Sequence, residues 1–375
     1  MVHVGLNAHL LSRRAGYRTA GIHGYIWHTL AQLAAAAPPG WRLTALVGRD
    51  SPAAFPGLEL RRARLDTEAP LRRILWEQAF QPWALADFDL YHALAFVSPL
   101  WLRAPSVVTI YDLSFIHYPQ VLPAARRWYL RLFTALSCRR AQRVIAISHS
   151  TARDVAATFG IPPARIDVAA PGYDTAAYRP LPAEAAAAFR ARRGLPDRFW
   201  LFVGTLEPRK NLPALLEAYA ALAPAERLPL VLAGGRGWDY QAIFAAVERL
   251  RLADWVQFPG FLPADELPFW YNSAEAFVYP SVYEGFGLPA LEAMACGTPV
   301  IVSDRASLPE VVGQAGLRVP PQDTAAWTAA LRRAGADAGW RAAAREEGLR
   351  QAARYDWAET ARQTVASYQR ALAGM

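Results

Sequence analysis

The chain has 375 residues, enough for two domains of ordinary size, and 53% of them are hydrophobic. Forty Lys and Arg residues against 32 Asp and Glu give a net charge of +8, but the arginines are scattered in pairs without an RNA-binding signature, so we do not expect a nucleic-acid partner. No apolar run reaches the roughly 18 residues of a membrane span, and the start, MVHVGLNAHL, lacks the pattern of a signal peptide, so we predict a cytoplasmic protein in which Cys138 and Cys296 are buried thiols.

The first half of the chain alternates short β-branched segments with longer segments of helical spacing. The predicted strands are VHVGLNA, RLTALVG, LYHAL, SVVTIYD and RVIAIS. A loop with three glycines, RRAGYRTAGIHGYI, follows the first strand and precedes a helix predicted to begin near Gly24, while SVVTIYD ends on Tyr111 and Asp112. Such alternation predicts a parallel sheet covered by helices on both faces.

Two segments of the first half combine arginines with aromatic residues at helical spacing. They are PLRRILWEQAFQPWAL and PAARRWYLRLFTALSCRRAQR. They fit helices that lie peripherally on an anionic membrane surface, and they equally fit packed helices whose arginines are solvated. The sequence leaves both interpretations open.

The second half repeats the alternation after a segment rich in Pro and Gly, residues 170–184, which we interpret as the domain boundary. Its predicted strands are FWLFVGT, LPLVLAG, VQFPG, AFVYPS and PVIVSD. The two halves hold enough strands for two doubly wound α/β domains. The final segment, DWAETARQTVASYQRAL, predicts one amphipathic helix.

Lys210 is the only lysine in a chain that otherwise uses arginine for positive charge. It lies with Arg209 in the loop LEPRKN, between the strand FWLFVGT and a helix that Asn211 is expected to cap. Ligands of open α/β sheets bind at this edge, and a lysine supplies a compact, mobile charge where arginine would supply a rigid fork. We therefore predict that Lys210 and Arg209 stabilise the growing charge of a leaving diphosphate.

The segment PSVYEGFGLPALEAMACGTPVIVSD predicts a second ligand-binding loop in the same domain. A helix is predicted from about Leu288, and the N–H groups and dipole at its start favour an anion. Gly285 and Gly287 let the backbone approach that ligand closely. Glu284 and Glu292 would repel an anion, so we interpret them as acceptors for sugar hydroxyls at either end of the site.

These motifs together resemble the donor domain of the retaining glycosyltransferases of family 4, which have the two-domain GT-B fold. The resemblance is carried by FVGTLEPRKNL, PSVYEGFGLPALEAMACGTPVIVSD and LPEVVGQAGLRVPPQD, and it covers most of the second half. It implies two Rossmann-like α/β domains, each with a doubly wound parallel sheet, and a cleft between them. Residues 1–172 would bind the acceptor, residues 173–354 would bind the nucleotide-sugar donor, and a C-terminal helix, 355–375, would return to the first domain.

The resemblance also implies roles for residues of the second half. Glu284 would contact hydroxyls of the donor sugar, and Glu292 would contact the ribose. Backbone N–H groups around the helix start would hold the sugar and the phosphates; they belong to Gly285, Phe286, Gly287 and Leu288. Many relatives have an arginine where this chain has Thr205, so Arg209 is expected to share the diphosphate with Lys210.

Four further residues match positions that contact substrates in the family. Gly260 and Phe261, in VQFPGFL, match the segment that holds the nucleobase, with an ordinary strand end as the alternative. Gly21 matches a glycine whose N–H meets the diphosphate, and Asp112 matches an aspartate that positions donor or acceptor. Tyr111 replaces a histidine that orients the sugar in many relatives, and because a tyrosine is neutral at pH 7, imidazolium assistance is in doubt.

The resemblance implies an enzyme that moves a hexose from a nucleotide diphosphate sugar to an acceptor hydroxyl with retention of configuration. GDP-mannose is the first expectation for the donor, and a UDP-hexose is the alternative. The acceptor would be a saccharide or a lipid-linked saccharide in polysaccharide or glycolipid assembly. We expect metal independence and no other cofactor.

Three other functions stay open. Gly285, Gly287 and Ala290 fit the dinucleotide fingerprint G-x-G-x-x-A, although these glycines do not follow their strand in a tight turn. A nucleotide-sugar epimerase or phosphorylase is a second alternative, but Lys210 lies in the diphosphate loop and does not resemble a pyridoxal-phosphate lysine. The replacement at Tyr111 keeps open a third alternative, a non-catalytic protein that binds nucleotide sugars.

Overall fold

A computed structural model of the protein describes residues 1–11, 21–49, 51, 54–64, 67 and 69–374. The chain divides into two compact units. The first unit comprises Met1–Gly172 and Asp356–Met375, and the second comprises Tyr173–Tyr355. The substrate roles expected for the two domains stay predictions.

The described part of the first unit contains a seven-stranded parallel sheet. Its strands are β1 (His3–Asn7), β2 (Arg42–Val47), β3 (Glu59–Arg62), β4 (Leu90–Ala93), β5 (Ser106–Ile110), β6 (Arg143–Ala146) and β7 (Ile166–Val168). Their order is β3-β2-β1-β4-β5-β6-β7. All residues of β1, β4 and β5 are buried, as expected of central parallel strands with both faces covered.

The described part of the first unit has five α-helices before residue 172, and one segment that the sequence predicts as a single helix is interrupted. The helices are α1 (Ile22–Ala36), α2 (Pro70–Leu75), α3 (Ser114–His117), α4 (Ala124–Arg140) and α5 (His149–Phe159). The segment predicted as one helix from Pro70 continues past α2 as a π-helical turn, Trp76–Phe80, and a 3₁₀ turn, Gln81–Leu85. Pro82 lacks the N–H that a continuing α-helix requires, and the change of pitch buries Glu77 and Gln81.

The second unit contains a six-stranded parallel sheet among its described residues. Its strands are β8 (Trp200–Val203), β9 (Leu230–Ala233), β10 (Val256–Gly260), β11 (Ala276–Tyr279), β12 (Val300–Ser303) and β13 (Leu317–Val319). Their order is β10-β9-β8-β11-β12-β13. The chain therefore changes direction across the sheet between β8 and β11, which leaves a crevice at the carboxyl ends of these two strands.

Eight helices flank this second sheet in the described residues. They are α6 (Ala183–Arg193), α7 (Leu212–Ala220), α8 (Gln241–Arg249), α9 (Leu267–Ser273), α10 (Leu288–Ala295), α11 (Leu308–Val312), α12 (Thr324–Ala336) and α13 (Ala338–Ala352). The helix predicted from about Leu288 begins there. Two parallel sheets, with helices between most successive strands of the described residues, confirm the predicted α/β class.

The last helix, α14 (Trp357–Ala373), belongs to the first unit. The Trp357 ring packs edge-on against Tyr25 at 5.6 Å and stacks on His28 at 4.9 Å. The Tyr368 hydroxyl lies 2.6 Å from Nδ1 of His92, and burial lowers the pKa of His92 to about 3. These contacts give His92 a structural role in the core.

Candidate functional site

The carboxyl ends of β8 and β11 bring two loops of the second unit together. The loop after β8 ends in a 3₁₀ turn, Pro208–Lys210, and the loop after β11 leads into α10. The Val282 N–H donates to the Arg209 carbonyl at 3.0 Å and joins the two loops. Both predicted ligand-binding loops therefore lie at the point where the strand order reverses.

Lys210 is enclosed at this junction, with 5% of its surface exposed. Its Nζ donates to Oε1 of Glu284 at 2.6 Å and to the Tyr279 hydroxyl at 2.7 Å. Burial and the charge of Arg209 lower the pKa of Lys210, and the Glu284 carboxylate opposes that change. A compact ammonium fits between these two partners, whereas the wider planar fork of an arginine does not suit such an enclosed place.

Glu284 joins the two cations of the site. While Oε1 accepts from Lys210, Oε2 accepts from Nη1 of Arg209 at 2.7 Å. Arg209 is held in turn by Glu207 at 2.7 Å and by the Tyr283 carbonyl at 2.6 Å. Burial acts to raise the pKa of Glu284, but Arg209 and Lys210 outweigh it and lower that pKa to about 2. Glu284 is thus an ionised carboxylate that fixes both cations.

Sequence reasoning identifies Lys210, Arg209 and Glu284 separately, and the structure brings the three side chains into one network. Its predicted role for Glu284 was contact with sugar hydroxyls. An ionised carboxylate accepts at about four lone-pair positions, so contacts with two cations still leave acceptor positions for a ligand. The sugar-binding role of Glu284 stays a prediction.

A serine from the next loop of the sheet holds the segment between β11 and α10. The Ser307 hydroxyl lies 3.0 Å from the carbonyl oxygen of Glu284 and 2.5 Å from that of Phe286, and these two oxygens share its single O–H donor. The Phe286 ring is buried and packs edge-on against Tyr355 at 5.4 Å. The side chain of Phe286 therefore serves the core, which leaves its backbone for the predicted ligand contact.

Gly287 begins α10 in a conformation that requires glycine. Its φ is +110°, and an added Cβ would lie 2.6 Å from Cδ2 of Leu308. The helix that follows starts at Leu288, whose N–H has no partner within the helix, whereas Pro289 has no N–H and the Ala290 N–H donates to the Gly287 carbonyl at 2.9 Å. The Leu288 N–H and the helix dipole make this turn suitable for a phosphate.

Glu292 lies on α10 and is partly buried, away from the cation network. Its Oε2 accepts from the Tyr271 hydroxyl at 3.0 Å. Burial raises the pKa of Glu292 to about 7, and the hydroxyls of Tyr271 and Tyr178 oppose the rise only in part. The two glutamates of the motif therefore differ in charge state near neutral pH, and the predicted contact of Glu292 with ribose stays untested.

Sequence reasoning does not identify the glycine-rich loop after β9, residues 234–237. Gly234 approaches the loop after β8 so closely that an added Cβ would lie 1.8 Å from the carbonyl oxygen of Gly204. The Leu206 N–H donates to the Gly235 carbonyl at 2.9 Å. The sequence signal for this loop is the run AGGRG directly after a predicted strand.

Arg236 extends from this loop beside the exposed Thr205. Its backbone forms a parallel β-bridge with Leu206, the residue after Thr205. Its guanidinium lies over the rings of Tyr240 at 5.2 Å and Phe244 at 5.3 Å. Thr205 itself offers a hydroxyl and no charge. The loop therefore places an arginine next to the position where the family resemblance expects one.

Gly260 ends β10 at the same edge of the sheet, and Phe261 follows it. Gly260 has a φ of +81°, and its carbonyl accepts from the Gly234 N–H at 2.8 Å. The Phe261 side chain is exposed. This placement suits the predicted nucleobase contact, and it equally suits the strand end that the sequence left as the alternative.

The predicted helix cap Asn211 acts through its backbone. Asn211 has a φ of +56°, which asparagine tolerates better than most residues. Its side chain makes no capping bond and donates instead to the Pro321 carbonyl at 2.8 Å. The expectation of a side-chain cap was therefore wrong.

Tyr111 faces the interior of the first unit. Its hydroxyl donates to the Leu94 carbonyl at 2.7 Å, and its ring packs edge-on against Tyr25 at 5.2 Å. Burial and the nearby Tyr25 hold the pKa of Tyr111 well above its usual value. These contacts favour a structural role for Tyr111, and its predicted catalytic role stays untested.

The other two first-unit candidates lie at strand and helix ends. Oδ1 of Asp112 accepts from the Ser114 N–H at 2.9 Å, so this carboxylate starts the turn into α3. Gly21 precedes α1 with a φ of +63° and is exposed, and no atom of the described residues lies within 4 Å of an added Cβ. The glycine at position 16 of the same loop lies outside the described residues.

The described residues contain no group of three or more His, Cys, Asp or Glu side chains placed to hold a metal ion. One Asp-x-Asp sequence is present, at Asp87 and Asp89, where it serves the fold. Asp87 pairs with Arg61, and Asp89 accepts from the His3 N–H at 2.8 Å. Metal independence stays a prediction.

Comparison with known proteins identifies both halves of the chain. The family described as Glycosyl transferases group 1 matches residues 187–351, and the family described as Glycosyltransferase Family 4 matches residues 20–177. The O-antigen chain mannosyltransferase B of Escherichia coli is 36% identical over 77% of this chain and 76% of its own length. The serotype-specific mannosyltransferase WbdA of Escherichia coli is 34% identical over 67% of this chain, which spans 31% of that longer protein.

Solved structures support the same assignment. Sucrose-phosphate synthase from Thermosynechococcus elongatus has a TM-score of 0.78, with 26% identity and full coverage of both chains. The glycosyltransferase WaaG, involved in lipopolysaccharide biosynthesis, has a TM-score of 0.70 with 17% identity, over 96% of this chain and 98% of its own, and shows the GT-B fold alone. The chain thus belongs to the glycosyltransferases of family 4 and group 1, and is a glycosyltransferase of GT-B type.

Proposed function

We propose that this glycosyltransferase moves mannose from GDP-mannose to a hydroxyl of a saccharide or lipid-linked saccharide, in polysaccharide or glycolipid assembly. The E. coli relatives named as mannosyltransferases support the choice of mannose. A UDP-hexose is the alternative donor. The observation that carries the proposal is the buried network of Lys210, Glu284 and Arg209 at two adjacent strand ends.

The network suits the departure of a nucleoside diphosphate. Lys210 has three N–H donors and uses two of them on Glu284 and Tyr279. The remaining donor, Arg209 and the start of α10 would meet the charge that grows on the diphosphate as the glycosidic bond breaks. Because Glu284 already fixes both cations, little reorganisation is needed when the donor binds.

Arg236 would supply the second guanidinium that the family resemblance expects at Thr205. Its loop is joined to the segment that contains Thr205 by two backbone hydrogen bonds. The Leu206 N–H donates one, and the Leu206 carbonyl accepts the other. A guanidinium here would bind the diphosphate together with Arg209. Thr205 would contribute its hydroxyl.

No residue in the described part of the site is an evident base for the acceptor hydroxyl. Tyr111 is buried and hydrogen-bonded to Leu94, and its high pKa does not suit a base. The acceptor proton would pass to the leaving phosphate on the same face of the sugar, which retains the configuration. This retaining course rests on family membership.

A donor screen tests the proposal. The protein would be incubated with GDP-mannose, UDP-glucose, UDP-galactose and UDP-GlcNAc, with and without EDTA, while nucleoside diphosphate release and thermal stabilisation are recorded. GDP-mannose should be the donor that raises the melting temperature most and is slowly hydrolysed in EDTA. Stabilisation by a UDP-sugar alone would replace GDP-mannose with the alternative donor, and activity only with added metal would overturn metal independence.

A further inference from the structure

The first sheet has a point of strand reversal of its own, between β1 and β4. From β1 the chain continues to β2 and β3 on one side, and then returns to β4 on the other side of β1. Ligands of open α/β sheets bind outside the carboxyl ends of the strands at such a point. Asn7 ends β1 here and His9 follows it, and both side chains are buried. The end of β1 is therefore the expected place for a substrate of the first unit.

The π-helical turn, Trp76–Phe80, brings a buried carboxylate to the end of β1. Oε1 of Glu77 accepts from Nδ2 of Asn7 at 3.1 Å, and 8% of Glu77 is exposed. The other two buried carboxylates of the described residues, Glu207 and Glu284, each pair with a cation. Glu77 has no ion pair within the described residues, and its Oε2 has no partner there but is reached by solvent. An unpaired buried carboxylate is costly, and π-helical turns are frequent at functional sites.

Two further polar side chains lie near Glu77. Arg73 is half-buried, four residues before Glu77, and its charge opposes the rise that burial causes in the pKa of Glu77. Tyr129 of α4 is half-buried too; burial, and after it the Glu77 charge, raise the pKa of Tyr129. Neither the guanidinium nor the phenol hydroxyl makes a hydrogen bond to the described residues, and both are accessible to solvent. Three polar groups therefore converge with hydrogen-bonding capacity left for a ligand.

The loop after β4 holds the elements that carry these groups together. The Leu100 N–H donates to Oε1 of Gln78, in the π-helical turn, at 3.1 Å, and the Ser98 N–H donates to Oγ of Ser137, in α4, at 2.9 Å. The π-helical turn and α4 belong to the two basic aromatic segments of the sequence. None of the described helices is long and apolar enough to cross a bilayer. The inner residues of both segments thus form one polar cluster at the sheet.

The chemistry of the cluster suits an uncharged sugar. Glu77 and Arg73 carry opposite charges, and burial together with the Arg73 charge lowers the pKa of His9 to about 4, so the imidazole is neutral at pH 7. A carboxylate accepts from hydroxyls, and a guanidinium donates to their oxygens. Tyr129 adds an aromatic ring that carries a polar hydroxyl. A phosphate would meet the Glu77 charge and be repelled.

We infer that Glu77, Arg73 and Tyr129 bind hydroxyls of the acceptor saccharide, and that Glu77 selects an uncharged sugar over a phosphorylated one. Asn7 is a positioning residue, because it fixes one oxygen of the carboxylate from the end of β1. This assignment rests on the proposed function in one respect, namely that the acceptor is a saccharide. It does not depend on the identity of the sugar donor.

Saturation-transfer NMR with simple sugars tests the site. The probes are the methyl α-glycosides of mannose, glucose, galactose and N-acetylglucosamine, and the 6-phosphates of the same sugars. At least one methyl glycoside should bind the wild type more tightly than its 6-phosphate does. Glu77→Gln should weaken that binding by about tenfold or more, because it removes a hydrogen bond to a charged group. Absence of binding by every glycoside, or equal binding to the wild type and Glu77→Gln, would overturn the site, and tighter binding of a 6-phosphate would overturn the selection of an uncharged sugar.

The melting temperature separates binding from a structural role. Glu77→Gln should melt at the same temperature as the wild type or higher, since it replaces an unpaired buried carboxylate with a neutral amide; a lower melting temperature would favour a structural role. Tyr129→Phe should weaken glycoside binding severalfold at an unchanged melting temperature, because the ring keeps its contact with Phe133 at 4.6 Å. The control Glu59→Gln removes an exposed carboxylate of β3 and should leave glycoside binding unchanged.

The donor and the acceptor site can fail separately. GDP-mannose should stabilise the wild type and Glu77→Gln equally. Glycoside binding that depends on Glu77, without stabilisation by GDP-mannose, would count against the proposed donor alone. Stabilisation by GDP-mannose without glycoside binding would count against the acceptor site alone.

Discussion

Lys210 and Glu284 form a buried ion pair, 2.6 Å from Nζ to Oε1, between loops that follow two adjacent strands. The second oxygen of Glu284 binds Arg209, so one carboxylate sets the position of both cations. Each cation alone would be unfavourable in such a buried place. The pair therefore forms one unit, in which a change at either residue alters charge, position and stability together.

Replacing Lys210 should reduce activity even when the charge is kept. In Lys210→Ala the diphosphate loses a donor and Glu284 loses its partner, so kcat/KM should fall about 100- to 1,000-fold and the free energy of unfolding by about 3–5 kcal/mol. Lys210→Arg should recover little activity, because the fork must fit between Tyr279 and Glu284. Steady-state kinetics and denaturant unfolding measure both effects.

A matched control for these variants is Arg350→Ala, which removes an exposed charge of α13. It should leave kcat/KM and the free energy of unfolding almost unchanged. Recovery of half or more of the activity by Lys210→Arg would contradict the steric argument for a lysine at this position.

The two glutamates of the motif should give stability opposite pH dependences. The folded pKa of Glu284 is lowered from 4.5 to about 2, so its contribution is complete above about pH 4.5 and is lost as the pH falls toward 2. The folded pKa of Glu292 is raised from 4.5 to about 7, so its protonated form stabilises the fold at low pH and this contribution is lost as the pH rises toward 7.

Urea unfolding at a series of pH values separates the contributions of Glu284 and Glu292 to the free energy of unfolding. Glu292→Gln should be more stable than the wild type above pH 7, by up to about 3 kcal/mol, and similar to it near pH 4.5. Glu284→Gln should be less stable than the wild type at neutral pH, and its free energy of unfolding should fall less than that of the wild type as the pH is lowered. Parallel pH profiles of the wild type and Glu292→Gln would contradict the raised pKa of Glu292.

Gly287→Ala should damage the start of α10. The substitution adds a Cβ 2.6 Å from Leu308 Cδ2 at a residue with φ +110°, so we expect a loss of about 1–3 kcal/mol in the free energy of unfolding. Donor binding should weaken with it, because the N–H groups of this turn move. Gly235→Ala is the control: an added Cβ there has no atom of the described residues within 4 Å, and its unfolding free energy should stay within about 0.5 kcal/mol of the wild type.

The sequence predicts ten of the thirteen described strands, the two loops and all three members of the cation network, because each is a local pattern: a β-branched run, a loop with charged residues, a glycine before a helix. It misses β3, β7 and β13, which are short, incompletely buried strands at the sheet edges. It does not predict that Lys210 and Glu284 touch. That contact depends on β8 lying beside β11, which is a property of the sheet order and of no single segment. The sequence does not predict the inward orientation of the Tyr111 side chain for the same reason, since its hydrogen-bond partner Leu94 follows a neighbouring strand.

Arg236→Ala should weaken donor binding without unfolding the protein. The arginine is exposed and packs over Tyr240 and Phe244, so we expect KM for the donor to rise about tenfold with a small change in melting temperature. Arg249→Ala, on the following helix α8, also removes an exposed charge and should leave KM unchanged. An unchanged KM in Arg236→Ala would show that Arg236 does not replace the arginine that the family resemblance expects at Thr205. The donor site would then have one guanidinium fewer than in those relatives.

Tyr111→Phe and Tyr111→His distinguish packing from chemistry at this position. Tyr111→Phe removes the hydroxyl that satisfies the Leu94 carbonyl, so the free energy of unfolding should fall by about 1 kcal/mol while kcat stays within about twofold. Tyr111→His places a smaller, titratable ring against Tyr25 in a buried pocket, so it should be less stable still and should not raise kcat. A fall in kcat of about 100-fold in Tyr111→Phe, with stability retained, would contradict the structural role and restore the catalytic one.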